Sequence, residues 1–208
     1  MYLPKHFLED RGDVLAPFVR AHPLGMLVTL DGGQPAVDLV PMLLEIAPAP
    51  QLRGHVARAN SVVKRVADGD AVLVVFRGED RYITPSWYAS KQVDGKVVLT
   101  WNYSMVQVRG RLRWFDAPDR LLGIVTALTR THEAPRAAPW SVDDAPPDYI
   151  ASMLRAIVGF EIDVESMTGK FKSSQNRHEA DRRGVAAGLA ADGVPPGVAA
   201  EVVRDPRP

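Results

Sequence analysis

Stretches in which apolar and polar residues alternate dominate the first 115 residues, and a period of two predicts β-strands. The clearest case is Met105–Phe115 (MVQVRGRLRWF), in which nearly every second residue is apolar. The unbroken apolar run Ala71–Phe76 predicts a buried strand, since its β-branched residues favour extended backbone. The other predicted strands are Leu24–Leu30, Gln34–Ile46 and Leu52–Ala57, and two further extended pieces, RYITP and KVVLT, lie between residues 81 and 103.

Two short turn sequences join neighbouring strands of this region. Asp31-Gly32-Gly33 predicts a tight hairpin turn, and Asp94-Gly95 predicts a second one between RYITP and KVVLT. Six or seven strands at hairpin spacing favour a small antiparallel barrel over a parallel α/β sheet. The expected fold class is therefore mainly β, with flanking helices.

Beyond residue 115 the apolar period changes to that of helices. Apolar residues at helical spacing predict one helix around 121–128 and another around 150–157, with a long surface loop over 134–147 between them. Phe160–Val164 alternates again and predicts a strand that returns to the barrel. Further helices are predicted at Asp13–Ala21, Ser61–Asp68 and Gln175–Ala191, so we expect one domain over 1–192 and a C-terminal tail over 193–208.

The composition of the chain excludes several classes of protein. The 208 residues carry 25 Lys+Arg and 25 Asp+Glu, so the net charge is zero and bulk attraction to nucleic acid is excluded. The absence of cysteine excludes disulfides, iron–sulfur clusters, Cys-ligated zinc and a Cys nucleophile. The N-terminus has no signal peptide, and no apolar run approaches the ~18 residues of a membrane helix. A cytoplasmic protein is expected.

The common catalytic motifs are missing from this sequence. It contains no GxGxxG, no GxxxxGK[ST] and no GxSxG. His132-Glu133 begins like HExxH, but Pro135 would break the required helix and Arg136 stands where the second histidine should be. The five histidines show no metal-ligand spacing, so we predict no metal site and assign no catalytic residue.

Aromatic residues concentrate between positions 76 and 103, where six of the chain's aromatic residues lie among short hydrogen-bonding side chains. Such a surface suits a flat ring with a polar edge, which needs both stacking and hydrogen bonds. Cross-strand aromatic packing within a hairpin is the alternative explanation. The candidates in this stretch are Ser86, Trp87, Thr100, Trp101 and Asn102.

A second group of candidates is electrostatic. The segment Thr168–Arg183 holds five Lys/Arg against two acids, although the chain as a whole is neutral. Its cations, hydroxyls and amides suit a phosphate, and they stand where the last helix is predicted to begin. A well-capped, solvated helix start is an equally good explanation. The candidates are Lys172, Gln175, Asn176 and Arg177, and the stretch GHVARAN adds a third polar group of His55, Arg58 and Asn60.

Five motifs in this order resemble the PaiB-like family. They are MYLPKHF at the start, GHVARAN at 54–60, YITPSWY at 82–88, TWNY at 100–103 and GKFKSSQNR at 169–177. The similarity extends from Met1 to about Leu189. The sequence departs from the family pattern at Ser61 and Leu99, where proline is expected, and at Ser173, where leucine is more usual.

The resemblance implies an FMN-binding split β-barrel like that of the pyridoxamine-phosphate-oxidase flavoproteins. It further implies an obligate homodimer with two FMN sites at the subunit interface. We expect Arg58, with Lys172 or Arg177, to hold the FMN phosphate, and His55 and Asn60 to lie at the flavin rim. Trp87, Trp101 and Asn102 are expected near the isoalloxazine ring or the dimer interface.

Two functional hypotheses follow from these observations. The first is an FMN-dependent redox or FMN-sensing protein, with a small-molecule substrate or electron donor, because the flavin itself would supply the redox chemistry. The second is a negative transcriptional regulator without enzymatic activity, acting through DNA or a partner protein, as the family name implies. Because the chain has no surplus of positive charge, we expect sequence-specific DNA binding by the dimer alone to be weak. A flavin-free scaffold dimer is a third alternative.

Overall fold

The structure is a computed structural model that describes residues 1–203. Its strands are β1 Leu8–Glu9, β2 Leu24–Asp31, β3 Gln34–Glu45, β4 Gln51–Ala57, β5 Ala71–Ile83, β6 Thr100–Phe115 and β7 Ile157–Lys172. Its α-helices are α1 Gly12–Ala21, α2 Val62–Arg65, α3 Pro118–Glu133, α4 Pro147–Arg155, α5 Glu179–Ala191 and α6 Pro196–Val202. Short 3₁₀ turns separate several of these elements.

The seven strands within residues 1–203 form one sheet in the order β1-β7-β4-β3-β2-β5-β6, and β7 also pairs with β6. The pairs β1–β7, β2–β3, β2–β5, β3–β4 and β4–β7 are antiparallel. The β7–β6 pairing closes the order from β7 to β6 into a ring of hydrogen-bonded strands. The predicted antiparallel β-barrel with flanking helices is therefore confirmed.

The β2–β3 hairpin shows how the sequence sets the strand register. Asp31 pairs with Gln34, which leaves Gly32 and Gly33 as the two turn residues. Both have positive φ, 56° and 83°, the backbone region that a type I′ turn requires and that glycine adopts without strain. The hairpin predicted from Asp31-Gly32-Gly33 is confirmed.

The chain divides into two compact units, each assembled from separate stretches of sequence. Unit A consists of Met1–Phe18, Arg77–Val106 and the described residues from Thr168 onward, and unit B consists of Val19–Phe76 and Gln107–Met167. The predicted boundary between a domain over 1–192 and a tail over 193–208 stays a prediction. Helix α6 lies within the predicted tail, with Val202 buried, and residues 204–208 lie outside the described residues.

Unit B has a core built by helices α3 and α4. Leu121, Ile124 and Leu128 lie at helical spacing on one face of α3 and pack with Phe115 and Leu154. The helix predicted around 121–128 from the spacing of apolar residues is therefore confirmed. On the sheet, buried residues such as Leu52 and Ile162 alternate with partly exposed ones along β4 and β7.

Unit A has a separate core on helix α5. Val185 and Leu189 of α5 pack with Ile83, Tyr88 and Val202. A side chain at Gly184 or Gly188 would collide with Trp87, since a Cβ added there would lie 1.9 Å from its carbonyl oxygen or 2.3 Å from its ring. These two glycines, one helical turn apart, let α5 approach Trp87 closely.

Two sequence predictions about unit A were wrong in detail. The Asp94-Gly95 hairpin does not form, because RYI is the end of the long strand β5, Lys96–Leu99 lies outside any strand and β6 begins only at Thr100. The helix predicted from Gln175 begins at Glu179, because β7 continues to Lys172 and Ser174 has a φ of 61°, which no helix contains. Lys172 and Gln175–Arg177 therefore precede the helix.

No helix among residues 1–203 is both long enough and apolar enough to cross a membrane.

Candidate functional site

The structure divides the candidate residues between the two units. Unit A contains Ser86, Trp87, Thr100, Trp101, Asn102, Lys172, Gln175, Asn176 and Arg177, and unit B contains His55, Arg58 and Asn60.

Three cations of unit A form a cluster, which we call the cation cluster: Lys170 and Lys172 on β7 and Arg177 in the turn that follows. Lys170 and Arg177 are close enough to Lys172 to act on its pKa electrostatically. Within the part of the chain that the structure describes, none of the three forms an ion pair with a carboxylate. Lys170 lies 5.3 Å from the centre of the Tyr103 ring and Arg177 4.6 Å from that of Tyr88, so aromatic rings are their closest partners.

Lys172 is held by neutral oxygen atoms of β6. Its Nζ donates hydrogen bonds to the Thr100 Oγ1 and, at 2.6 Å, to the Trp101 carbonyl oxygen. Burial lowers the pKa of Lys172 below its usual value, and the neighbouring charges of Lys170 and Arg177 lower it further. The ammonium group is thus fixed in place by neutral oxygen atoms and has no carboxylate partner among the described residues.

The turn after Lys172 is fixed by buried polar side chains. Asn102, which is 0% exposed, donates from Nδ2 to the Ser174 Oγ at 2.9 Å and to the Val202 carbonyl oxygen at 3.1 Å. Gln175 Oε1 accepts from the Ser173 N–H at 2.7 Å, and Gln175 Nε2 donates to the Phe171 carbonyl. Asn102 and Gln175 therefore position the backbone between Lys172 and Arg177.

Arg177 is positioned by the core of unit A. Its guanidinium faces the Tyr88 ring, and the buried Tyr88 hydroxyl has no hydrogen-bond partner of acceptable geometry. Burial raises the pKa of Tyr88, and the charge of Arg177 opposes part of that rise.

Asp181, at the start of α5, is 2% exposed and accepts from the Ser90 N–H and hydroxyl, both at 2.9 Å. These two hydrogen bonds join the start of α5 to Ser90. Asn176 is exposed.

Exposed aromatic rings lie on the strands beside the cation cluster. Trp101 is 50% exposed and Tyr82 is 43% exposed, and their ring centres are 5.9 Å apart in an edge-to-face arrangement. The Trp101 carbonyl that binds Lys172 belongs to the same residue as this exposed ring. Unit A therefore presents exposed aromatic rings and a cationic group at neighbouring positions.

The other aromatic candidate has a packing role. Trp87 contacts the Gly184–Gly188 face of α5, as ordinary core packing would require. Ser86 accepts a hydrogen bond from the Lys91 Nζ at 3.3 Å. Contact of Trp87 or Ser86 with a cofactor stays a prediction.

In unit B, Arg58 is engaged by the backbone. Its Nε donates to the Arg155 carbonyl oxygen and its Nη2 to the Ile157 carbonyl oxygen, both at 3.0 Å, and its Nη1 lies 3.7 Å from Asp116 Oδ2. These contacts join the end of β4 to the start of β7. The phosphate-binding role of Arg58 stays a prediction, and the structure gives it a bridging role.

Asn60 belongs to a polar network at the start of α2. Its Oδ1 accepts from the Val62 N–H at 2.9 Å, and its Nδ2 donates to Asp38 Oδ1 at 3.3 Å. Asp38 in turn pairs with Arg65, and these two side chains are only 18% and 11% exposed. This pair was not predicted from the sequence, although a lone aspartate within the apolar run of β3 was a signal for it.

His55 is set on β4 with an unsatisfied ring nitrogen. Its Nδ1 is buried and has no hydrogen-bond partner in the structure. Burial lowers the pKa of His55, which favours the neutral imidazole near neutral pH.

Comparison with known proteins identifies the family. Residues 1–166 match the sequence model of a family described as "Putative FMN-binding domain". The chain belongs to this family. The match confirms the resemblance carried by the motifs between MYLPKHF and TWNY, whereas the GKFKSSQNR segment at 169–177 lies beyond the matched range.

Relatives of similar length share about a third of their residues with this member of the family. The "Protease synthase and sporulation protein PAI 2" of Bacillus subtilis is 32% identical, with 87% of this chain and 85% of that protein aligned. An uncharacterized protein of Aspergillus fumigatus is also 32% identical, with 91% of this chain and 90% of that protein aligned.

Solved structures with the same fold share far less sequence. An FAD- and heme-binding protein from Mycobacterium smegmatis has a TM-score of 0.61 at 16% identity, covering 88% of this chain and 80% of its own. A flavocytochrome from Azotobacter vinelandii has a TM-score of 0.60 at 12% identity, covering 88% of this chain and 78% of its own. At these identities the likeness shows the fold alone.

Proposed function

We propose that this chain is an FMN-binding flavoprotein and that the cation cluster of unit A holds the FMN phosphate. The observation that carries the proposal is that Lys170, Lys172 and Arg177 come together without a carboxylate partner among the described residues. Uncompensated positive charge on a partly buried ammonium is costly unless an anion offsets it. A phosphate, with nearly two negative charges, meets that requirement.

The neighbouring side chains fit the rest of the molecule. The exposed Trp101 and Tyr82 rings provide an apolar surface for the isoalloxazine, whose polar edge needs hydrogen-bond donors and acceptors. The Thr100 hydroxyl and the Trp101 carbonyl hold Lys172 at a fixed position, so little side-chain entropy is lost when the phosphate binds. FMN would supply hydride or single-electron transfer. The chain's own residues bind it and orient it.

The comparisons support the choice of a flavin. The family is described by FMN binding, and two solved structures with this fold are named as flavin proteins. FMN combines a phosphate with an aromatic ring system. These two parts match the cation cluster and the exposed aromatic rings beside it.

We further propose that two copies of the chain associate through the β2–β3 hairpin. The hairpin exposes four large apolar side chains to solvent, each by between 53% and 63% of its surface: Leu24, Leu30, Val37 and Leu39. An exposed apolar patch of this kind is typical of an interaction surface. Sedimentation equilibrium of the purified protein should give the mass of a dimer. A Val37→Lys, Leu39→Lys double variant should be a monomer.

The activity we favour is an FMN-dependent redox or FMN-sensing role. The regulatory alternative has one specific observation in its favour, the relative whose name refers to protease synthesis and sporulation. Such a role, through DNA or a partner protein, would still allow FMN to be bound.

The first experiment is the absorption spectrum of the purified protein, followed by titration with FMN under detection of flavin fluorescence. We expect the visible absorption of a bound flavin or saturable binding of added FMN. Absence of saturable binding would overturn the proposal. NADPH oxidation by the FMN-loaded protein and a gel-shift assay then separate the redox role from the regulatory one.

A further inference from the structure

Helix α6 packs into the core of unit A that supports the cation cluster. Its Val202 is 2% exposed and belongs to the same buried cluster as Tyr88, Val185 and Leu189. Arg177 lies over the Tyr88 ring, 4.6 Å from its centre. The aromatic ring that Arg177 faces is therefore packed in the same cluster as the end of α6.

The end of α6 is also tied to the turn between Lys172 and Arg177. The Asn102 amide donates to the Val202 carbonyl oxygen at 3.1 Å and to the Ser174 Oγ at 2.9 Å. Ser174 has a φ of 61°, a left-handed conformation that a serine keeps only where its surroundings hold it. One side-chain amide thus connects α6 with the strained residue of that turn.

Glu201 anchors α6 on strand β5. Its Oε1 accepts a hydrogen bond from the Glu79 backbone N–H at 2.9 Å. Gly78 leaves the space for this carboxylate, since a Cβ at that position would lie 2.2 Å from the same oxygen atom. Glu79 lies beyond the register of β5 with β2, which covers Leu73–Val75. The contact between Glu201 and Glu79 therefore fixes α6 one residue before Val202.

We propose that Glu201 is a positioning residue of the cation cluster. By anchoring α6, it holds the Val202 carbonyl on Asn102 and the Val202 side chain in the buried cluster of Tyr88. Both contacts support the turn that carries the cations. The inference rests on the proposed function for its ligand, the FMN phosphate, but the geometry of the turn is measurable without any ligand.

Electrostatics distinguishes this role from a general effect of charge. Removal of an acidic side chain makes a protein less negative, which favours the binding of an anion. Loss of a positioning residue has the opposite effect on phosphate affinity, because the cations are no longer held in one arrangement before the phosphate binds. Weaker binding of phosphate after removal of the Glu201 charge therefore reports lost positioning.

Amide hydrogen exchange of the full-length protein without FMN tests the positioning directly. The Ser173 N–H donates to Gln175 Oε1 at 2.7 Å. The Arg177 N–H donates to the Ser174 carbonyl oxygen at 2.9 Å, so both amides exchange only when the turn opens. We expect them to exchange at least ~10-fold faster in Glu201→Ala, because the lost hydrogen bond involves a charged group. Amides of β4 in unit B should keep their wild-type rates, which checks the fold.

Two conservative variants of Glu201 separate its reach from its charge. Glu201→Gln keeps an acceptor oxygen at the same reach without the charge, so its exchange rates should stay within a few-fold of the wild type. Glu201→Asp keeps the charge but is one methylene shorter, so it should behave like Glu201→Ala. Asp192→Ala is the matched control, because it removes an exposed acid of the same unit.

The second measurement compares the affinities for FMN and for riboflavin, which lacks the phosphate. In Glu201→Ala the Kd for FMN should rise at least ~10-fold, whereas the Kd for riboflavin should stay within ~3-fold of the wild type. The FMN affinity of Asp192→Ala should not fall, since this variant loses a negative charge and no contact of α6 with β5.

Unchanged exchange of the Ser173 and Arg177 amides in a folded Glu201→Ala variant would overturn the inference, whatever the protein binds. Equal rates in Glu201→Gln and Glu201→Ala would also overturn it, and so would faster exchange in Glu201→Ala with an unchanged Kd for FMN. Faster exchange in a protein that binds no FMN would support the positioning of the turn and overturn the proposed function instead, so the two failures are distinguishable.

Discussion

Two groups of cations, one on the sheet of unit B and the other the cation cluster of unit A, have opposite kinds of partner. On the sheet of unit B, arginines are matched with carboxylates across neighbouring strands, as in the pairs Arg53–Glu45, Arg53–Glu161, Arg111–Glu165 and Arg113–Asp163. In unit A, Lys170, Lys172 and Arg177 share one end of β7 and face aromatic rings and neutral oxygen atoms instead.

Under the proposal that the cation cluster holds a phosphate, this difference separates charges that serve folding from charges that serve binding. A paired arginine has its counterion within the chain, so its loss leaves a carboxylate unsatisfied and the fold is weakened. An unpaired cluster repels itself, so it does not stabilise the free protein and gains its partner only from an external anion. Substitutions in the two groups should therefore affect different properties.

The largest expected effect on stability is at the Arg65–Asp38 pair of unit B. Arg65→Met leaves the mostly buried Asp38 without its cation, and we expect the free energy of unfolding to fall by about 3 kcal/mol. Arg111→Met, at an exposed pair, should cost less than about 1 kcal/mol and is the matched control. Urea unfolding measures both values, and equal losses would refute the distinction between buried and exposed pairs.

The corresponding substitution in unit A should lower the affinity for FMN. Lys172→Met removes one charged hydrogen bond to the phosphate, worth about 1.5–3 kcal/mol, so the Kd for FMN should rise about 10- to 100-fold. The free energy of unfolding without FMN should change by no more than about 1 kcal/mol, since relief of repulsion offsets the lost contacts with Thr100 and Trp101.

Lys96→Met is the control for this experiment, because Lys96 is an exposed lysine of unit A outside the cation cluster. A loss of several kcal/mol of stability in Lys172→Met would show instead that Lys172 is a structural residue.

Unit A also contains an ion pair whose carboxylate is buried, and this pair gives an internal check. Glu9 is 3% exposed and accepts from Arg11 Nη2 at 2.7 Å, and this pairing holds the pKa of Glu9 below its usual value. A depressed carboxylate pKa contributes stability above the unfolded-state pKa and loses it as the pH falls through the folded-state value. Glu9→Gln should cost about 1–2 kcal/mol at pH 7 and much less at pH 3.

Urea unfolding of wild type and Glu9→Gln at the two pH values measures this effect, with the exposed Glu165→Gln as control. A cost that did not depend on pH would contradict the assignment to ionised Glu9.

The smallest expected effect is the pH dependence of FMN affinity. Because the pKa of Lys172 is lowered, Lys172 loses its charge at a lower pH than an ordinary lysine does. FMN affinity should therefore decline by a factor of ~2–5 between pH 7 and pH 9.5. Lys172→Arg should remove the decline, because arginine stays protonated throughout this range. Riboflavin, which lacks the phosphate, should show no such decline in the wild type.

The sequence predicted the fold well because its signals were local. The alternation of apolar and polar residues along 105–115 predicts a strand from that segment alone. The two glycines of the β2–β3 turn likewise set the register of the hairpin without any contribution from distant residues. The Asp94-Gly95 hairpin failed for the opposite reason. Turn residues permit a hairpin but do not create one, and the flanking Lys96–Leu99 lies outside any strand.

The site was only partly predictable. A local excess of Lys and Arg pointed to the segment containing Lys172 and Arg177, but it could not show which of its cations would remain unpaired. Asn102 and Ser174 are 72 positions apart, and their contact depends on the pairing of β6 and β7.

The central claim is that the cation cluster binds the FMN phosphate, and the ratio of riboflavin to FMN dissociation constants tests it most directly. Both ligands carry the same ring system, so the ratio isolates the phosphate. We predict a ratio of at least ~30 for the wild type and for Lys96→Met, falling to about 3 or less in Lys172→Met. A ratio in Lys172→Met that stays at the wild-type value would contradict the assignment and place the phosphate elsewhere in the protein.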